Sequence, residues 1–156
     1  MNKPQNGPDF PTGIDALIPL EMAHKAEEVG LKKAQMDTLS LFALAVLAGA
    51  FIALGAVYAT VAWTTGDIPI PYGLNRIIGG VVFSLGLILV IVGGAELFTG
   101  NTLIIMAWAS RKLSTMKLLR NWVIVYFGNL AGAVATAFLV FLSMRICKVV
   151  SIINTK

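Results

Sequence analysis

One carboxylate stands alone in a long apolar run: between Arg76 and Arg111 the only charged side chain is Glu96. It belongs to the segment Gly93-Gly94-Ala95-Glu96-Leu97-Phe98-Thr99-Gly100-Asn101, where three glycines, an acid and a capping residue fall within nine positions. A carboxylate near the centre of a bilayer costs about 2.5 to 3.5 kcal/mol on insertion scales, so Glu96 needs a partner. It reads either as a proton relay or filter residue, or as a structural acceptor for backbone N–H groups loosened by the glycines. The structural role is favoured, because a bare carboxylate facing a pore would repel an anion. Asn101, or Thr99 just before it, is suited to cap a short half-helix from Thr102 to Ala109 whose positive end attracts anions. Leu97 and Phe98 inside the segment, and Phe83 and Leu87 one helical turn apart, are candidates for apolar constrictions that gate by excluding water. Further on, Gly128-Asn129-Leu130-Ala131-Gly132 has the GxxxG spacing that lets helices approach closely, with Asn129 able to hydrogen-bond across the contact.

Other chemistry finds no support. The single cysteine, Cys147, cannot form an intramolecular disulfide or assemble a zinc site, and the single histidine, His24, does not change that. No metal, cofactor or bond-breaking constellation is visible, so the chain does not read as an enzyme.

The elements that must hold these residues are membrane helices. Of the 156 residues, 57% are hydrophobic and 13% charged, against about 25% charged in an ordinary soluble domain. No charge lies between Asp37 and Asp67 or between Arg120 and Arg145, and each gap exceeds the roughly 20 residues a spanning helix needs. The fold class expected is an all-α membrane protein with three transmembrane segments, the second broken around an intramembrane loop. The stretch from Arg76 to Ser110 would make about 50 Å of continuous helix against a hydrocarbon core of about 30 Å, so one straight helix does not fit. Backbone that leaves helical geometry at that depth must be buried in protein or line a water-filled cavity, which makes the break the candidate pore.

The expected boundaries are a disordered segment 1–12, a cytoplasmic surface helix 13–37, spans at 39–63, 76–92 with 101–110, and 121–144, and an atypical tail 145–156. The surface helix, with Pro19 in its first turn, reads as a solvated or interfacial anchor rather than a gate. The net charge of +4 comes from short basic segments beside apolar runs, a topology signal rather than a nucleic-acid signal. Lys25, Lys32 and Lys33 before the first span, and Arg111, Lys112, Lys117 and Arg120 between the second and third, put the N-terminus inside, in the cytoplasmic membrane. Arg145, Lys148 and Lys156 then fall outside, against that bias.

The run AEEVGLKKA, then AGAFIALG, then GGVVFSLGLILVIVGGAELFTGN, then NWVIVYFGNLAGA, resembles the formate/nitrite transporter family, with GAELFTGN at Gly94 to Asn101 the most specific element. The resemblance implies a homopentamer whose protomers each carry a pore for a small monovalent anion, formate or nitrite, or hydrosulfide as an alternative. It implies two inverted repeats of three segments, the second of each broken. It places Leu97 and Phe98 at the inner constriction, Thr99 facing the pore centre, and Phe83 with Leu87 towards the outer constriction. The family's central histidine and a nearby lysine belong to the second repeat, whereas these 156 residues contain one. The sequence reading is therefore of a truncated or frameshifted half, with a nonconducting membrane assembly protein as the rival. An aquaporin-like channel is disfavoured because no Asn-Pro-Ala tripeptide occurs.

Overall fold

The computed structural model describes residues 19–64 and 70–154, with side chains described for 21–64 and 70–147. The segment 1–12, the start of the expected surface helix and the middle of the first loop lie outside the described residues. Six helices follow in order: α1 (Pro19–Ala34), α2 (Thr38–Trp63), α3 (Tyr72–Val92), α4 (Phe98–Asn101), α5 (Ile104–Ala109) and α6 (Thr115–Asn154). There is no strand among the described residues. α2, α3 and the Thr115–Cys147 part of α6 are each long and apolar enough to cross a membrane.

Asp37 starts α2 by accepting the Ser40 N–H at 2.9 Å, and that backbone donor holds its carboxyl below the ordinary range. α3 ends as its glycines dictate. Gly94 sits at φ +60°, a left-handed conformation that glycine adopts without a Cβ penalty. The Gly94 N–H donates to Ile91 C=O at 3.2 Å and the Ala95 N–H to Val90 C=O at 3.0 Å. Those two bonds make a Schellman stop, which satisfies carbonyls that a helix end otherwise leaves bare. The second span is thus two pieces, as the glycine cluster suggests.

α6 is longer than the span expected at 121–144. It begins at Thr115 and continues as one helix to Asn154, because no glycine or proline follows Gly132 to stop it.

α2 is the centre of the bundle, with α6 and α3 packed against it. A Cβ on Gly132 would collide with the Val46 carbonyl, and one on Gly49 with the Asn129 carbonyl. A Cβ on Gly128 would lie 2.5 Å from that of Ala45. Backbone approaches backbone here, which is how helices gain contact where lipid removes the hydrophobic drive between them.

α1 lies at the surface with one face docked on the bundle and the other exposed. Its Ala34 shares a buried cluster with Ile104, Ala107, Leu113 and Leu118, and Gly30 approaches the Ile104 backbone so closely that a Cβ would lie 3.2 Å from Ile104 Cα. α1 therefore closes the bundle beneath the break.

Candidate functional site

Residues 95–97 belong to no helix, and the backbone of Glu96 is paired across the bundle on both its N–H and its carbonyl. The Glu96 N–H donates to the Leu44 carbonyl of α2 at 3.2 Å. Asn129 of α6 adds three bonds: its Nδ2 donates to the carbonyls of Glu96 at 2.9 Å and Ala45 at 2.8 Å, and its Oδ1 accepts the Phe98 N–H at 2.9 Å. The residue expected to glue helices together also caps α4 from 31 positions away. These bonds tie the break to α2 and α6, which suits backbone that leaves helical geometry in a low-dielectric setting.

Asn101 does not cap a half-helix. α4 already begins at Phe98, so Asn101 lies inside its turn and is fully buried. Its Nδ2 donates to Asn121 Oδ1 at 2.9 Å, its Oδ1 accepts from Lys33 Nζ at 3.2 Å, and its carbonyl accepts from Trp122 Nε1 at 3.0 Å. No half-helix starts at Asn101 to aim a positive end at an anion: α4 starts at Phe98, whose N–H is taken by Asn129, and α5 starts at Ile104.

Glu96 finds a cation instead of backbone N–H groups. Lys33, near the end of α1, donates to both carboxylate oxygens at 2.8 Å. The Glu96 side chain is 6% exposed and that of Lys33 24%. Asn121 Nδ2 closes the ring by donating to the Lys33 carbonyl at 3.2 Å. Lys33 is the residue that sequence reasoning missed, having counted it only as a topology charge. The signal available was the bare carboxylate, which demanded a cation without saying which.

A cavity of about 340 Å³ opens above this pair, lined by Lys33, Leu87, Val90, Ile91, Gly94, Ala95, Glu96, Leu97, Thr99 and Gly100. Leu87, Glu96, Leu97 and Thr99 are brought together as one wall. Phe98 is not among them: it turns to the other side, edge-on to Trp122 and Tyr126 with ring centroids 6.2 and 5.9 Å away, and packs on Leu41, Ala45 and Val125. Consecutive residues entering a helix point about 100° apart, so Leu97 and Thr99 leave Phe98 facing α6. Phe83 also lies off this wall, half-exposed on α3.

A model of the formate/nitrite transporter family matches residues 20–155. The chain belongs to that family. The match runs into 145–156, the tail expected to stand apart from it. The family member is 46% identical over 130 residues to the formate channel FocA of Escherichia coli strain K12, covering 83% of this chain and 45% of that protein. It is 47% identical over 122 residues to the uncharacterized transporter YrhG of Bacillus subtilis strain 168, covering 77% of this chain and 45% of the relative. Among solved structures, a pentameric formate channel with formate bound superposes with a TM-score of 0.60 and 39% identity, covering 81% of this chain and 44% of that one. The chain thus spans about half the length of the relatives it matches, and it is a multi-pass membrane protein.

Within this member of the formate/nitrite transporter family, the break is hydrogen-bonded to the bundle on one side and open on the other. Asn129, Asn101 and Asn121 fix its backbone and its acid against α1, α2 and α6, while Leu97, Thr99 and Gly100 border the cavity. What it offers a solute is the Lys33–Glu96 ion pair, an apolar wall and one hydroxyl.

Proposed function

We propose that the chain supplies one repeat of a channel for small monovalent anions, formate or nitrite first, and that the channel assembles as a homopentamer. α1 and the loop between α5 and α6 face the cytoplasm of a cytoplasmic membrane, a placement supported by the basic residues they carry.

The observation that carries this reading is the cavity at the break, bounded by Lys33, Leu97 and Thr99. An anion approaching from the α1 side meets the Lys33 ammonium. That ammonium is paired with Glu96 at 2.8 Å and with Asn101, so the acid does not repel the anion and the cation does not trap it. Beyond it, Leu97 and Leu87 narrow the path and Thr99 offers a hydroxyl donor. Phe98 acts by packing α4 on α6 rather than by lining the path, and Phe83 contributes further along α3, where a facing repeat would complete the outer passage.

Pores of this inverted-repeat design lie at a repeat interface, so one repeat gives half a wall. The test is formate uptake by liposomes carrying the purified chain, alone and co-reconstituted with the second half of the Escherichia coli formate channel. Uptake is expected to be weak for the chain alone and restored by the pair. Absence of restored uptake from a pair that co-purifies would contradict the reading.

A further inference from the structure

At the end of the bundle opposite α1, one guanidinium is held by two aromatic rings. Arg76 Cζ lies 4.8 Å from the ring centroid of Trp63, the last residue of α2, and 5.0 Å from that of Tyr72, the first of α3. The corner is braced: the Asn75 side-chain amide donates to the Trp63 carbonyl at 3.3 Å, and the Trp63 indole is seated where Gly79 has no side chain. Arg76 is exposed and has no acidic partner among the described residues. The proposed anion path uses none of these groups.

We propose that Arg76, Trp63 and Tyr72 bind the phosphate of an anionic phospholipid at the membrane surface opposite α1. Trp63 and Tyr72 close two apolar spans, the level at which lipid phosphates lie and where aromatic residues concentrate. The rings contact the guanidinium through its charge and not through its N–H groups, which make no hydrogen bond among the described residues. A guanidinium takes a phosphate through two parallel N–H bonds. Because Arg76 already covers both rings, no aromatic cage remains for a quaternary ammonium. The site therefore selects phosphatidylglycerol, whose headgroup carries no cation, over phosphatidylcholine. This inference stands apart from the transport reading.

The experiment is native mass spectrometry of the purified chain released from bilayers of equal phosphatidylglycerol and phosphatidylcholine. The wild type is expected to retain phosphatidylglycerol with a preference about fivefold greater than Arg76→Gln does, the factor equivalent to about 1 kcal/mol per surface basic residue. Lys117→Gln, at the other end of the bundle, should leave that Arg76-dependent difference intact. If Arg76→Gln does not fold, Arg76→Lys keeps the charge without the planar fork and should lose most of the preference. A wild type with no preference, or an unchanged preference in either Arg76 variant, would overturn the proposal, as would release of the lipid only on dissociating copies of the chain.

Discussion

Lys33 on α1 donates to both carboxylate oxygens of Glu96 at 2.8 Å, across 63 residues of sequence. The only acid within the broken span is thereby tied to a helix that precedes all three membrane segments. Breaking a buried pair from one side leaves a charge without compensation, which costs more than the pair itself contributes.

Lys33→Met is therefore expected to lower stability by about 3 kcal/mol, the low end of the range for buried pairs because Lys33 is partly exposed. Lys33→Met with Glu96→Gln should recover much of that loss, since the glutamine keeps an acceptor and carries no charge. Thermal unfolding in detergent of both single variants and the double variant measures the coupling. Additive losses would show that the two residues do not act as a pair.

Asn129 makes three hydrogen bonds at the break, to Ala45, Glu96 and Phe98. Asn129→Leu leaves a donor and an acceptor of the break unpaired, at about 1 to 3 kcal/mol for each buried group. Asn129→Ser keeps a hydroxyl that pairs with one of these groups without adding a charge, so it should fall between leucine and the wild type. Thermal midpoints order the three proteins, and equal midpoints would remove Asn129 from its bracketing role.

The break was legible in the sequence because its cause is local: Gly93 and Gly94 end α3 by a stop that depends on two adjacent positions. Its partners were not, because Asn129 and Lys33 reach it only once α6 and α1 are packed on α2. Asn101 misled for the same reason. Its composition suits a cap, but a cap is defined by where the helix begins, and Asn129 sets that start at Phe98. The side each residue faces was also hidden, since Leu97, Phe98 and Thr99 are equally compatible with a pore until α6 claims the phenylalanine.

The small-residue contacts divide the glycines sharply. Gly132→Ala would drive a methyl into the Val46 carbonyl, whereas a Cβ at Gly80 meets nothing within 4 Å. Overpacking of the first kind costs about 1 to 3 kcal/mol, while alanine at an unobstructed helical position gains about 0.5 to 1 kcal/mol over glycine. Thermal unfolding should move in opposite directions for the two variants, and a shift of the same sign and size would contradict the packing described.

Acid should loosen α1. The Ser110 hydroxyl and the Lys112 ammonium, the latter 3.0 Å away, hold the Glu27 carboxyl below its ordinary value of 4.5. With the folded value depressed, the stabilisation is fully present above the unfolded value and disappears as pH falls through the folded one. Hydrogen exchange of α1 amides should accelerate below about pH 4.5 relative to α2, and Glu27→Gln should flatten that dependence. A wild-type profile matching that of Glu27→Gln would rule out this contact as the cause.

The central claim is that the anion passes the cavity face of the break, along Thr99 and not Phe98. Its most direct measurement is formate uptake through the co-reconstituted pair carrying Thr99→Cys or Phe98→Cys, in a Cys147→Ser background, before and after a membrane-impermeant thiol reagent. Loss of most uptake in Thr99→Cys, with Phe98→Cys little affected, is the expected result. Uptake that survives full labelling at Thr99, or that is blocked from Phe98 instead, would contradict it.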